Sequence, residues 1–149
     1  MARIQISSLP LFRSKLGWFV SSFSSLPKLV NLPIPGFYTL DPTSTPSKPS
    51  LILGPFQGKV ACQTIAFSRG VCGTAASTQT TQLVADVEKF PGHIACDAAS
   101  QSEIVVPIVV DGVVKAIIDV DCGVKGGFDE VDRKWLEELA GVLAEGCDW

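Results

Sequence analysis

Histidine, methionine and tyrosine each occur once in the 149 residues, and charged residues make up only 18%. The clustered lysine and arginine that bind a phosphate backbone are missing. Residues 41–149 hold all 15 acids, so the body of the chain is acidic and a nucleic-acid surface is excluded. No apolar run reaches the length that crosses a bilayer. There is no Cys-x-x-Cys pair. The five cysteines (Cys62, Cys72, Cys96, Cys122 and Cys147) are spaced widely and number an odd count. With His93 as the single histidine, a structural zinc site is not expected. No secretory signal with an apolar core and a small-residue cleavage site is apparent. Reduced thiols in a cytoplasmic protein are the expectation, and a disulfide there is transient and catalytic rather than structural.

Acids are also absent before Asp41, where the bases are Arg3, Arg13, Lys15 and Lys28. That Ser- and Pro-rich start differs in character from the rest, and a mitochondrial transit segment is the alternative reading of it. What remains is rich enough in apolar residues, at 46% of the whole chain, to bury a core without metal or disulfide staples.

From Leu51 the patterning sharpens. Leu51–Leu53 reads as a short strand ended by Gly54-Pro55, and Val60–Phe67 as a second strand. Arg69–Thr78 gathers small residues into a turn and short helix with Cys72 near its first turn. Leu83–Ala85 reads as a short strand, and Glu88–Ser102 as a long functional loop. Glu103–Val110 and Val113–Asp121 are β-branched runs joined by Asp111-Gly112, the pattern of a tight hairpin. Pro107 cannot donate a ladder bond, so it is expected beside an open edge or a bulge. Asp129–Glu145 is an amphipathic helix with Val131, Trp135, Leu139, Val142 and Leu143 on its apolar face, capped by Asp129 and stopped by Gly146. Strands plus a terminal amphipathic helix, without βαβ alternation, give an α+β domain with a mainly antiparallel sheet.

Asp119 and Asp121 leave the same face of an otherwise apolar strand. Two acids there are costly unless the face meets a cation, a metal or a polar ligand. Counting around the hairpin turn pairs Glu103 near residue 120, close to both aspartates. Three converging carboxylates suit an ammonium-bearing ligand and raise one pKa, leaving a protonated acid that can donate to a reacting oxygen. The alternatives are the solvent end of an edge strand or a hard-cation site such as one for Mg²⁺. Cys62 and Cys72 can equally be small buried hydrophobes.

The segments Gly54–Cys62 (GPFQGKVAC), Arg69–Thr78 (RGVCGTAAST), Phe90–Ile108 (FPGHIACDAASQSEIVVPI), Ile117–Cys122 (IIDVDC) and Phe128–Ala140 (FDEVDRKWLEELA) resemble the free methionine-(R)-sulfoxide reductases, which are GAF-domain enzymes. The resemblance implies a GAF domain over 36–149 preceded by an atypical segment over 1–35. It implies Cys96 as nucleophile on the sulfoxide sulfur and Cys72 and Cys62 as recycling cysteines, with the choice between these two left open. Glu103, Asp119, Asp121 and Tyr38 fall at substrate-binding positions. A sulfenic acid, then an intramolecular disulfide reduced by thioredoxin, would follow. No metal or organic cofactor is implied, and a homodimer is common in the family. Ile34 stands where the family carries a tryptophan against the substrate methyl group, which implies a weaker grip there. A non-catalytic ligand-binding GAF module and a thiol redox sensor are the competing readings.

Overall fold

A computed structural model describes residues 34–56, 61–94, 96 and 98–149. The expectations placed on the N-terminal segment, on the side chain of Ile34 and on Val60 lie outside the described residues.

Six strands form one antiparallel sheet: β1 (Ile34–Leu40), β2 (Ser50–Phe56), β3 (Thr64–Ala66), β4 (Gln82–Val84), β5 (Ser102–Val110) and β6 (Val113–Cys122). Their spatial order is β3-β2-β1-β6-β5-β4, which leaves β6 at the centre between β1 and β5. Helix α1 (Gly70–Thr78) covers one face and α2 (Glu130–Gly146) the other. No described helix is long and apolar enough to cross a membrane.

The alternation of β5 and β6 explains the two-layered burial. Ile104, Val106, Ile108, Ile118 and Val120 meet Leu136 and Ala140 of α2. Tyr38, Val105 and Ile117 face Val71, Cys72, Ala75 and Ala76 of α1. Helix α1 is built almost wholly of small or apolar residues, so it can lie close against the sheet.

The β5–β6 hairpin turns at Asp111-Gly112, both with positive φ (51° and 75°), the geometry a two-residue primed turn requires. A bulge then changes the register. Val109 faces Val114, but Ile108 faces Ala116, so Lys115 has no residue opposite. Glu103 consequently faces Asp121 and not residue 120 as the hairpin count predicts. Pro107 lies beyond the reach of β4, which pairs β5 only from Glu103 to Val105.

Other expectations are corrected. Strand β2 runs through Gly54-Pro55 to Phe56, because β1 continues to pair with it past its own irregularity between Gly36 and Tyr38. The strand expected over Val60–Phe67 is confined to Thr64–Ala66 among the described residues. The buried stripe of α2 is Asp132, Leu136 and Ala140, flanked by Leu139, Leu143 and Ala144. Val131, expected on that face, is 56% exposed. A capping box of Asp129 and Asp132 fixes where the helix begins, and the small Ala140 lets that side approach the sheet.

The loop after β4 is pinned and not free along its whole length. It opens with a 3₁₀ turn over Val87–Lys89, capped by Asp86, and Val87 is buried. Lys125 pairs with both Asp86 and Glu88, at 3.1 and 2.9 Å. The backbone N–H of Gln101 donates to the Cys122 carbonyl at 2.8 Å, where β5 begins. Anchors therefore stand on both sides of Cys96 in the sequence.

Candidate active site

Residues 103, 119 and 121 emerge on the α1 face of the sheet. Glu103 and Asp119 are 6% and 8% exposed, and β6 is central. The solvent end of an edge strand is thereby excluded as their setting. Asp121 is partly buried and accepts a short hydrogen bond from the Ser100 hydroxyl. Asp119 Oδ1 is buried with no hydrogen-bond partner.

Cys72 reaches this cluster from the first turn of α1. Its thiol donates to Glu103 Oε1 at 3.4 Å. Cys62 and Cys96 are joined by a disulfide, with their Cα atoms 5.5 Å apart. In this structure Cys62, and not Cys72, is bonded to Cys96. Cys122 is buried on the α2 face, and Cys147 follows α2 as its C-cap.

Cys62, Cys96, Cys72 and the three acids line one cavity of about 320 Å³, whereas Tyr38, expected at the substrate site, is buried in the core beside α1 and is not among the lining residues. The disulfide, Cys72, Ser100 and the three acids share its wall with Arg69 and with His93 and Ile94. Such a volume lies at the low end of the roughly 300–1,000 Å³ common for small-ligand sites. Arg69, Ser100 and Ile94 were not singled out from sequence. Their positions inside the same ordered segments as Cys72 and Cys96 were the available signal.

The electrostatics follow from crowding acids in a dry place. Burial, then the neighbouring Asp121, pushes Asp119 up to about 7. Burial, then Asp119 and Asp121, raises Glu103 well above the carboxylate range. Burial followed by Asp119 and Glu103 holds Cys72 as a protonated thiol. Tyr38 is 2% exposed, and burial with the nearby negative charge keeps its hydroxyl protonated. At neutral pH the cluster retains protons. It can receive an ammonium group and give up a proton from the same wall.

Comparison with known proteins agrees with this arrangement. A GAF-domain family profile matches residues 33–146. The chain is 57% identical over 113 residues to the free methionine-R-sulfoxide reductase of Saccharomyces cerevisiae, covering 75% of this chain and 61% of that one. It is 45% identical over 116 residues to the enzyme of the same name from Escherichia coli, covering 78% of this chain and 67% of that one. The chain thus spans about three fifths of the yeast relative's length. The solved free methionine-R-sulfoxide reductase of Neisseria meningitidis, in complex with its substrate, superposes with a TM-score of 0.75 at 34% identity, covering 97% of this chain and 95% of that one. With the sheet, the cavity and these relatives in agreement, the chain belongs to the GAF-domain family, among the free methionine-R-sulfoxide reductases.

Proposed function

We propose that this chain reduces free L-methionine (R)-S-oxide to L-methionine. The observation that carries the reading is the shared cavity, in which a cysteine pair able to cycle faces three acids that include a proton donor. Relatives named for the same reaction support it.

The Cys96 thiolate attacks the sulfoxide sulfur. Asp119 protonates the sulfoxide oxygen, the resulting hydroxyl passes to the Cys96 sulfur as the bond between that sulfur and the methionine sulfur breaks, and methionine leaves with Cys96 as a sulfenic acid. The Cys62 thiol then displaces that hydroxyl, forming the disulfide and releasing water. Cys72 is a poor candidate for this step, because its acidic and buried surroundings keep it a thiol. Asp121 and Glu103 hold the substrate ammonium, with Tyr38 backing the acid wall. A pocket selecting a free ammonium discriminates against methionine sulfoxide within a polypeptide. Thioredoxin returns both cysteines to thiols by exchange, which places the cycle in a reducing compartment such as the cytoplasm. The chemistry calls on no metal or organic cofactor.

The test is to supply the full chain with free methionine (R)-sulfoxide and dithiothreitol and to quantify methionine. Turnover that disappears in Cys96→Ser supports the proposal. No turnover above that variant overturns it in favour of a ligand-binding module, and a Cys62–Cys96 disulfide formed by peroxide alone favours a redox sensor. Replacing dithiothreitol by thioredoxin and its reductase tests the recycling step.

A further inference from the structure

The cysteine left out of the redox pair sits where a metal ligand would. Cys72 Sγ and one oxygen each of Glu103 and Asp119 lie within 4.8 Å of one another. The three come from α1, β5 and β6, so their convergence is set by the packed fold. All three residues are more than nine-tenths buried, and Oδ1 of Asp119, itself a member of the cluster, is buried without a hydrogen-bond partner. The cavity beside them gives an ion a path in and leaves room for a water as a fourth ligand.

We infer that Cys72, Glu103 and Asp119 form an inhibitory site for a thiophilic divalent cation, with Zn²⁺ the physiological type. One thiolate and two carboxylates with an open position match the ligand number of three-ligand zinc sites. The sulfur donor selects Zn²⁺ and Cd²⁺ over Mg²⁺ and Ca²⁺. Binding breaks the Cys72 S–H bond, forms the S–metal bond and gives that proton, together with those held by the Glu103 and Asp119 carboxyl groups, to solvent. Cys62 and Cys96 take no part, so the site persists in the disulfide form. The inhibition rests on the proposed reductase activity: the metal occupies the carboxylates that the substrate ammonium and the departing oxygen need, so Zn²⁺ raises KM and leaves kcat unchanged.

The test is a Cd²⁺ titration of the full chain in its disulfide form, following the ultraviolet thiolate-to-cadmium band. One equivalent is expected to bind, displaced by Zn²⁺ and not by excess Mg²⁺. Cys72→Ser is expected to abolish the band, while Cys122→Ser and Cys147→Ser retain it. Asp119→Asn is expected to weaken binding by more than the roughly 10–100-fold that removing a ligand's hydrogen-bond partner costs. Circular dichroism checks each variant's fold, and if Cys72→Ser does not fold, Asp119→Asn decides. A band that survives Cys72→Ser, or tight binding that survives Asp119→Asn, overturns the site. Zn²⁺ bound here with KM unchanged overturns the inhibition. Metal binding by a chain without turnover leaves the site standing and removes only the reductase reading.

Discussion

Replacing Asp119 by asparagine removes one charge from the most crowded part of the acid wall while keeping the shape of the side chain. Burial, with Asp121 beside it, pushes Asp119 up to about 7 in the folded protein, against 3.8 for the unperturbed group. That difference is about three pH units, and at about 1.4 kcal/mol per unit it amounts to about 4 kcal/mol. The sign follows from which state holds the proton more tightly. Burial raises the folded value above the unfolded one, so protonation favours the fold. The stabilisation is fully present below about pH 4 and is lost as pH rises through about 7. Asparagine has no such proton. The wild-type stability, minus that of Asp119→Asn, is therefore expected to fall by about 4 kcal/mol between about pH 4 and about pH 8. Against total stabilities of roughly 5–15 kcal/mol this is large. Urea unfolding of both reduced proteins across that range measures it. The same variant is expected to lose turnover by about 100–10,000-fold, the usual contribution of a positioned acid. A stability difference that stays flat with pH would refute the reasoning, because Asp119 would then be an ordinary ionised member of a hydrogen-bond network.

The cysteine assignment predicts that Cys62→Ser, without reductant, releases one equivalent of methionine and leaves a Cys96 sulfenic acid that dimedone labels. Peptide mapping that instead finds a Cys72–Cys96 bridge removes Cys62 from the resolving role. Asp121→Asn is expected to cut kcat/KM at least about tenfold, the equivalent of roughly 1.4 kcal/mol in one charge-assisted hydrogen bond. Its melting temperature should stay near wild type, and a variant that unfolds instead makes Asp121 a structural residue. A Cβ at Gly73 would run into the Ala66 carbonyl, so Gly73→Ala is expected to cost about 1–3 kcal/mol in thermal or urea unfolding, and an unchanged midpoint contradicts the close approach of α1 to β3.

Several elements were legible in the residues alone because their signals are local. Asp111-Gly112 between two β-branched runs fixes a hairpin, since few residues tolerate the positive φ of both turn positions. Asp129 ahead of the amphipathic run marks a helix start, since its side chain can take the first free backbone N–H groups, and the structure adds Asp132 as the other half of a capping box. The cysteines and acids that line the cavity together were singled out through ordered motifs, and the placement of two acids on one strand face through the period of a strand. The buried side of α2 was not, because the apolar residues along that helix spread over more than one face, and the sheet it meets selects among them.

What the sequence by itself determined is the local chemistry: a tight hairpin, a capped amphipathic helix, three acids flanking that hairpin and three cysteines in small-residue segments. What only the tertiary structure decided is which of these meet. The unpaired Lys115 shifts the register by one residue, and in a strand one residue is the difference between opposite faces. With an unbroken ladder, Glu103 would face Val120 and lie across the sheet from Asp119 and Asp121. With the bulge, all three acids share the face that α1 covers, and Cys72 of that helix joins them. Spacing alone likewise left Cys62 and Cys72 equal. In the folded chain Cys96 lies against Cys62, within the few ångströms between Cβ atoms that a disulfide needs. Register and loop placement are sums over contacts far apart in the chain, so no window of residues contains them.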